Sequence, residues 1–261
     1  MNGRITLSLL AADALREHLR IRLPALLEVP SHGATLDERA ELLRRGWAEI
    51  QERGLGRPGA LDAFVEDALH LLSRPPVGLH VVFGERPDEE RAAVVGMHGD
   101  QAVLGAVLGD EFVLERLYAP SAARTLVGLV PEAPAGRGVS VTAATDALED
   151  VVRRSAGSAN AMAAGFTSVG LRQEDAQHLA QVLSAQRLRG GQFGAKSFDY
   201  VTGRTTRVPF TVDFIDTTEG RYLVQHKPAG DGRRWFTLAP GDRNRLTERV
   251  NELIRAASSG R

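Results

Sequence analysis

The chain has 261 residues, and 32 lysine and arginine side chains against 33 acidic ones give it a net charge of −1. That length suffices for one large domain or two modest ones, and the near-neutral balance argues against a protein that chiefly holds nucleic acid. There is no cysteine, which excludes disulfides, zinc–thiolate sites and thiol catalysis. The apolar run after Met1 is too short for a secretory signal, and no run approaches the ~18 apolar residues that span a bilayer, so we expect a cytoplasmic protein.

The first half of the chain predicts helices followed by antiparallel strands. A short strand at residues 4–7 precedes a helix at 8–20, and Thr35 with Glu38 forms a capping-box pattern at the start of the next helix, which Gly54 ends. Another helix is expected at about 60–73. Short apolar runs between turn residues then predict four strands, at 77–83, 92–97, 102–108 and 112–117, before a helix near 121–130.

The second half repeats this order after a Pro- and Gly-rich segment at 131–138. The predicted elements are helices at 143–155 and 172–184, strands at 192–200, 204–215, 220–227 and 233–238, and a last helix that starts from Pro240. We therefore predict one α+β domain with antiparallel sheet, built by internal duplication from two similar halves at about 1–135 and 136–261. The sequence leaves open whether the two sets of strands join into one sheet.

Motifs for catalysis or cofactor binding are out of context or missing. The pattern G-x-G-x-x-G at residues 54–59 follows a helix rather than a strand, and Pro58 lacks an amide, so we interpret it as a linker between helices. The seven histidines show no H-E-x-x-H spacing, and the chain has no G-x-S-x-G nucleophile elbow and no phosphate-binding G-x-x-x-x-G-K-[ST] loop. We predict no catalytic, cofactor-binding or metal-binding residues and no enzymatic activity.

Three stretches together resemble the EspG family, the secretion-associated cytosolic proteins of type VII (ESX) systems in actinobacteria. They are VPSHGAT at residues 29–35, ahead of the helix that carries Trp47, RLRGGQFG at 187–194, and FIDTTEGRYLV at 214–224, which Trp235 and the closing helix follow. The most specific part is the Gly-Gln-Phe-Gly element with its Arg/Gly-rich lead-in. The resemblance covers nearly the whole chain, roughly residues 4–256.

The resemblance implies a non-enzymatic chaperone that needs no cofactor. Proteins of this family bind the apolar helical tip of a PE–PPE heterodimer, keep it soluble and deliver it to the membrane secretion machine. Their fold is α+β, with a central antiparallel sheet, two helical subdomains and pseudo-twofold symmetry. By this resemblance the partner is a PE–PPE or PPE-like helical protein, with no nucleic acid and no membrane insertion.

Partner contacts in the family come from the loop between the second and third strands and from the C-terminal helical subdomain. Mapped onto this sequence, the loop spans residues 84–91, and five charged side chains are expected to contact the edge of the partner: Arg86, Asp88, Glu89, Glu90 and Arg91. The alternative is an ordinary solvated hairpin loop.

A second candidate contact is the segment at residues 158–170, between two C-terminal helices. Met162, Phe166 and Val169 are its larger side chains among small residues, a composition that suits docking against an apolar tip. The alternative is that Met162 and Phe166 fill the core. For the family motif Gly191, Gln192, Phe193 and Gly194 we predict a structural role, with Phe193 as a core anchor and glycines where the chain enters the sheet.

Two other functions stay open at this point. A small-molecule-binding or enzymatic α+β domain would use the cleft between the two halves. A DNA-binding regulator is disfavoured by the neutral charge and by the lack of a basic stripe interleaved with aromatic residues.

Overall fold

A single large sheet runs through both halves of the chain in the computed structural model, which describes residues 3–84, 90–230 and 232–259. The strands are β1 (Arg4–Ser8), β2 (Gly56–Arg57), β3 (Ala60–Leu61), β4 (Val77–Gly84), β5 (Arg91–His98), β6 (Gln101–Leu108), β7 (Glu111–Tyr118), β8 (Val141–Ala144), β9 (Arg187–Asp199), β10 (Arg204–Arg207), β11 (Val212–Thr217), β12 (Gly220–Pro228) and β13 (Arg234–Pro240). The helices are α1 (Leu9–His18), α2 (Leu36–Glu52), α3 (Ala63–Ser73), α4 (Ala122–Gly128), α5 (Thr145–Arg154), α6 (Ala159–Ser168), α7 (Gln173–Ser184) and α8 (Arg243–Ser259).

The strand order reads alike from either edge of the sheet. It is β1-β7-β6-β5-β4-β9-β11-β12-β13-β8, with β10 paired to β9 and with β2 and β3 in a separate small hairpin. In each half a lone strand pairs with the last strand of a meander, and the two meanders meet where β4 and β9 pair antiparallel from Val77↔Ser197 to Gly84↔Gly190. The α+β prediction is confirmed, and the two meanders form one sheet. An internal duplication in the origin of the chain stays a prediction.

Helices cover both faces of the sheet. Successive residues of a strand point to opposite faces. On β5, Val95 belongs to the core under α4 and α8, whereas Val94 belongs to the core under α1–α3. On β12, Leu223 belongs to the core that contains α8, whereas Tyr222 belongs to the core under α5–α7. One face therefore carries a shared core with α4 and α8, and the other carries two separate helical subdomains.

The first meander is confirmed with strand ends that differ by at most one residue from the prediction. The second half differs more. Helix α6 lies where the sequence predicts a connecting segment, because its alanines and glycine give a weak apolar periodicity. The strand predicted at 204–215 is two strands, β10 and β11, and Pro209 between them lacks the amide that a ladder needs.

Helix α3 begins at Ala63, three residues later than predicted, because the chain before it forms the β2–β3 hairpin. The side chain of Asp62 accepts hydrogen bonds from the amides of Phe64 (2.9 Å) and Val65 (3.2 Å), which fixes this start. No helix within the described ranges is long and apolar enough to cross a bilayer.

Candidate functional site

The β4–β5 hairpin carries the first predicted contact loop to one end of the sheet. Its arms pair from Val77↔Met97 to Phe83↔Arg91, and the adjoining Glu90 and Arg91 are both exposed. Of the other predicted contact residues, Arg86, Asp88 and Glu89 lie outside the described residues. The register thus places the described end of the loop, Glu90 and Arg91, at the end of the sheet where β4 ends and β5 begins.

A groove of 640 Å³ lies beside this end of the hairpin. Glu90 and Arg91 line it together with apolar strand residues and with Leu26 and Glu28 from the segment before α2. The apolar strand residues are Val82, Ala92, Val107 and Leu108. Leu108 is 42% exposed and adds apolar area to the groove beside the charged side chains. Apolar walls with charged edges suit an amphipathic helical surface, because the apolar part supplies most of the affinity and the charges orient the partner.

The second predicted contact segment forms α6. Met162 and Phe166 are buried, at 3% and 0% exposure, in the core that α6 shares with α5 and α7. Gly165 lets α5 approach closely, since a Cβ there would lie 2.5 Å from Cγ1 of Val151. The two large side chains therefore fill the core, the alternative that the sequence left open, and Val169, 42% exposed at the end of the helix, is the one that faces solvent.

The Gly-Gln-Phe-Gly motif lies on β9, at the centre of the sheet. Phe193 is fully buried in the shared core and packs against Phe214, with 6.2 Å between ring centroids. A Cβ on Gly191 would lie 2.6 Å from Phe214 and 2.7 Å from a β4 carbonyl, and one on Gly194 would lie 2.6 Å from the His80 ring. The glycines thus permit close packing across the β4–β9 junction, as a structural role requires, and Gln192 is exposed.

A buried ion pair holds the segment between the two halves against the sheet. Arg221 on β12 donates from Nε to Oδ1 of Asp216 (2.6 Å) and from Nη2 to Oδ2 (2.8 Å), and both side chains are nearly inaccessible. The same Nη2 donates to the carbonyl of Pro131 (2.7 Å). Backbone hydrogen bonds join Arg221 to Pro134 and Gly136, each at 2.8 Å. The 214–224 stretch therefore fixes the 131–138 segment.

A second carboxylate anchors the 29–35 stretch in the N-terminal half. Asp13 on α1 is buried and accepts hydrogen bonds from the amide of His32 (2.9 Å), from Nη1 of Arg39 (3.2 Å) and from Arg16. Arg39 Nη1 also donates to the carbonyl of His32 (2.7 Å). Burial raises the pKa of Asp13, but these hydrogen bonds outweigh it and hold that pKa below its usual value.

At the end of the 29–35 stretch, Thr35 caps α2. Its hydroxyl accepts from the Glu38 amide (3.2 Å), and the Glu38 carboxylate accepts from the amide of Ala34 (2.9 Å). The predicted capping box is present, with the return bond displaced by one residue from the cap itself.

Neither anchor was assigned a role from the sequence. Asp13 lies among buried alanines inside α1, and an acidic residue at such a position was the one sign in the sequence of a buried anchor. Asp216 and Arg221 lie five residues apart on either side of a turn, and only the β11–β12 register, which pairs them directly, makes them neighbours. In the described part of the chain, no group of three histidine or acidic side chains is placed to hold a metal ion.

Comparison with protein families covers the 29–35, 187–194 and 214–224 stretches and the rest of the fold between them. The model of the EspG family matches residues 8–252, which is most of the chain. The chain belongs to the EspG family. No curated protein matches it significantly in sequence.

Among solved structures, the chain is similar to the Mycobacterium tuberculosis type VII secretion system chaperone EspG5, solved in complex with a PE25–PPE41 dimer. The TM-score is 0.77 at 13% identity, over 97% of this chain and 96% of EspG5. At that identity the likeness establishes the fold, and it spans nearly all of both proteins. A 12:0-ACP thioesterase from Umbellularia californica aligns at a TM-score of 0.14 and 8% identity, over 91% of this chain and 92% of the thioesterase.

The three stretches that carry the resemblance to the family all serve to pack or anchor the fold. The 29–35 stretch is held by Asp13, the 187–194 stretch contains the central strand junction, and the 214–224 stretch clamps the interhalf segment. The exposed residues beside the β4–β5 end and at the end of α6 lie outside all three stretches.

Proposed function

We propose that the chain is a non-enzymatic chaperone of a type VII secretion system. It binds the apolar helical tip of a PE–PPE-like dimer in the cytoplasm, keeps the dimer soluble and delivers it for export. The observation that carries the proposal is the family match over residues 8–252, together with a fold shared end to end with a chaperone that was solved with such a dimer. The absence of a predicted catalytic motif is consistent with this role.

The proposed contact surface has two parts. One is the groove at the β4–β5 end, where Leu108 supplies apolar area and Glu90 and Arg91 supply charge. The other is the exposed side of α6, where Val169 stands among small residues that let a helix approach closely. A stable complex buries about 800 Å² on each partner, so both parts are expected to contribute.

Co-expression with the PE/PPE-like pair encoded nearest to this protein tests the proposal. Size-exclusion chromatography with light scattering should show a complex that contains one copy of each chain. The exchange Glu90→Arg with Arg91→Glu should weaken binding several-fold, because charges at the edge of an interface orient the partner. The matched control is Glu41→Arg with Arg44→Glu on α2, which exchanges an exposed pair and should bind normally. Failure of every such pair to co-elute at micromolar concentration would contradict the proposal.

A further inference from the structure

Three neighbouring depressions follow residues 19–26 across the sheet face that carries the helical subdomains. One depression, of 480 Å³, lies between that segment and the end of α3, and another, of 460 Å³, lies over the β4–β9 junction. A connecting depression of 410 Å³ shares Ile21 and Arg22 with the first and Pro24 and Ala25 with the second. Because neighbouring depressions share these lining residues, we describe the three together as one groove; Leu26 lines both its second depression and the β4–β5 groove.

Besides Arg16, five cationic side chains line this groove, which we call the basic groove: Arg20, Arg22, Arg74, Lys196 and Arg207. None of the five forms an ion pair with a carboxylate of the described residues, and no acidic side chain lines either end depression. In the connecting depression Glu28 is the acid, and Arg16 there is already paired with Asp13. Elsewhere on the chain many arginines do have acidic partners, as Arg39 and Arg221 show.

The end of the groove over the β4–β9 junction places positive charge on a half-buried side chain, Lys196. Lys196 lies across Gly78, where a Cβ would be 3.2 Å from its Cε, and the His80 ring lies over Gly194. Burial lowers the pKa of Lys196, and the charge of Arg207 lowers it further. Burial lowers the pKa of His80 as well, and both cations add to that effect. An anion bound here would relieve this repulsion.

At the other end, Arg74 is held in place. Its guanidinium lies over the Phe198 ring, 5.9 Å from the centroid, and its carbonyl accepts a hydrogen bond from the Tyr200 hydroxyl (2.6 Å). Tyr200 and the neighbouring Val201 are strongly exposed, so apolar surface lies beside the cation. A positioned guanidinium next to apolar surface is suited to a carboxylate that an apolar side chain accompanies.

We propose that the basic groove binds an extended acidic segment of a partner protein. Apolar walls separate the cations along its length, among them Ile21, Leu26 and Phe210, and a peptide can alternate carboxylate and apolar side chains to match them. A nucleic acid would gain little from these walls, and the net charge of −1 gives it no general attraction. The inference goes beyond the proposed function, because it assigns a second surface with its own ligand chemistry.

Fluorescence anisotropy with a labelled peptide of alternating glutamate and leucine tests this assignment on the full chain. The triple variant Arg74→Gln, Lys196→Gln, Arg207→Gln should bind it about tenfold more weakly, as the loss of one half-buried and two exposed charge contacts implies. The matched control is Arg44→Gln, Arg153→Gln, Arg154→Gln, which removes the same charge from exposed helix sites and should change binding less than about twofold. Thermal melts of all three proteins establish that each is folded.

Added salt should weaken binding of the peptide to the unmodified protein. Equal loss in both triple variants would overturn the proposal, because general charge would then explain binding. Equal binding of a glutamine–leucine peptide would overturn it as well. Selective binding of single-stranded RNA or of phosphatidylserine vesicles, lost in the groove variant while the acidic peptide does not bind, would assign the groove to another ligand.

Discussion

The two halves of the molecule each hold an irregular segment with a buried carboxylate, but they do so in different ways. Asp216 is paired in bidentate fashion with Arg221, and both side chains are at most 3% exposed. Asp13 instead gathers Arg16, Arg39 and the His32 amide, and its arginine partners reach solvent, at 26% and 21% exposure. The C-terminal anchor is a closed bidentate pair with Arg189 at its edge, whereas the N-terminal anchor is an open network.

This difference predicts how each anchor fails. When one partner of a closed pair is removed, the remaining charge is left in a site that water cannot reach. When the carboxylate of the open network is removed, its arginines turn to water at a smaller cost in free energy. The three predictions below follow this comparison from the largest expected effect to the smallest.

Arg221→Met should produce the largest loss of stability. It leaves Asp216 buried with only Arg189 nearby, at 3.3 Å, and it frees the carbonyl of Pro131. The expected loss in the free energy of unfolding is about 3–5 kcal/mol, measured by urea denaturation. The double variant Arg221→Met with Asp216→Leu is the control and should recover part of that loss, because the buried carboxylate is removed as well and Arg189, at 24% exposure, can reach water. If the single variant lost less than about 1 kcal/mol, the closed-pair interpretation would be wrong.

Asp13→Asn should be milder. The amide keeps the shape of the side chain and can still accept the His32 hydrogen bond, but it loses charge-assisted bonds to Arg39 and Arg16. We expect a loss of about 1–3 kcal/mol in the free energy of unfolding, again from urea denaturation. Asp37→Asn, an exposed change two residues before Arg39, serves as the control and should alter stability by less than about 0.5 kcal/mol. A loss as large as that of Arg221→Met would remove the distinction between the anchors.

The pH dependence of stability sharpens the same comparison. The folded-state pKa of Asp13 lies below the ordinary value of 3.8, so its stabilising effect is fully present above that value and is lost as the pH falls through the folded-state pKa. The stability gap between the unmodified protein and Asp13→Asn should therefore shrink between about pH 5 and pH 2. Urea titrations across that range measure it, and a gap that stays constant would contradict the assigned ionisation.

The sequence predicts the fold more completely than the site. The first meander follows from apolar runs and turn residues, and those signals are local, so strand ends were predicted to within a residue. The sequence does not predict helix α6, because alanine and glycine give little apolar periodicity. Met162 and Phe166, four residues apart, are the sign in the sequence of a buried helix face.

The anchors depend on distance in space rather than in sequence. Asp13 contacts Arg39 from 26 positions away, and Arg221 reaches Pro131 from 90 positions away. No periodicity encodes such pairs. The three stretches that carry the family resemblance are packing and anchoring elements, so they indicate the fold and not the contact surface. Leu108, exposed at the predicted contact end, belongs to no motif that a single sequence could reveal.

The most direct test of the proposed function asks whether the exposed surfaces bind the partner. Calorimetric titration with a purified PE–PPE-like dimer should show that Leu108→Asp and Val169→Asp each weaken binding about tenfold or more, because each places a charge on apolar contact area. Leu36→Asp is the control, since Leu36 is 88% exposed on α2 and neither lines the β4–β5 groove nor belongs to α6, and it should bind normally. Undiminished binding by both surface variants, with all proteins folded, would contradict the account.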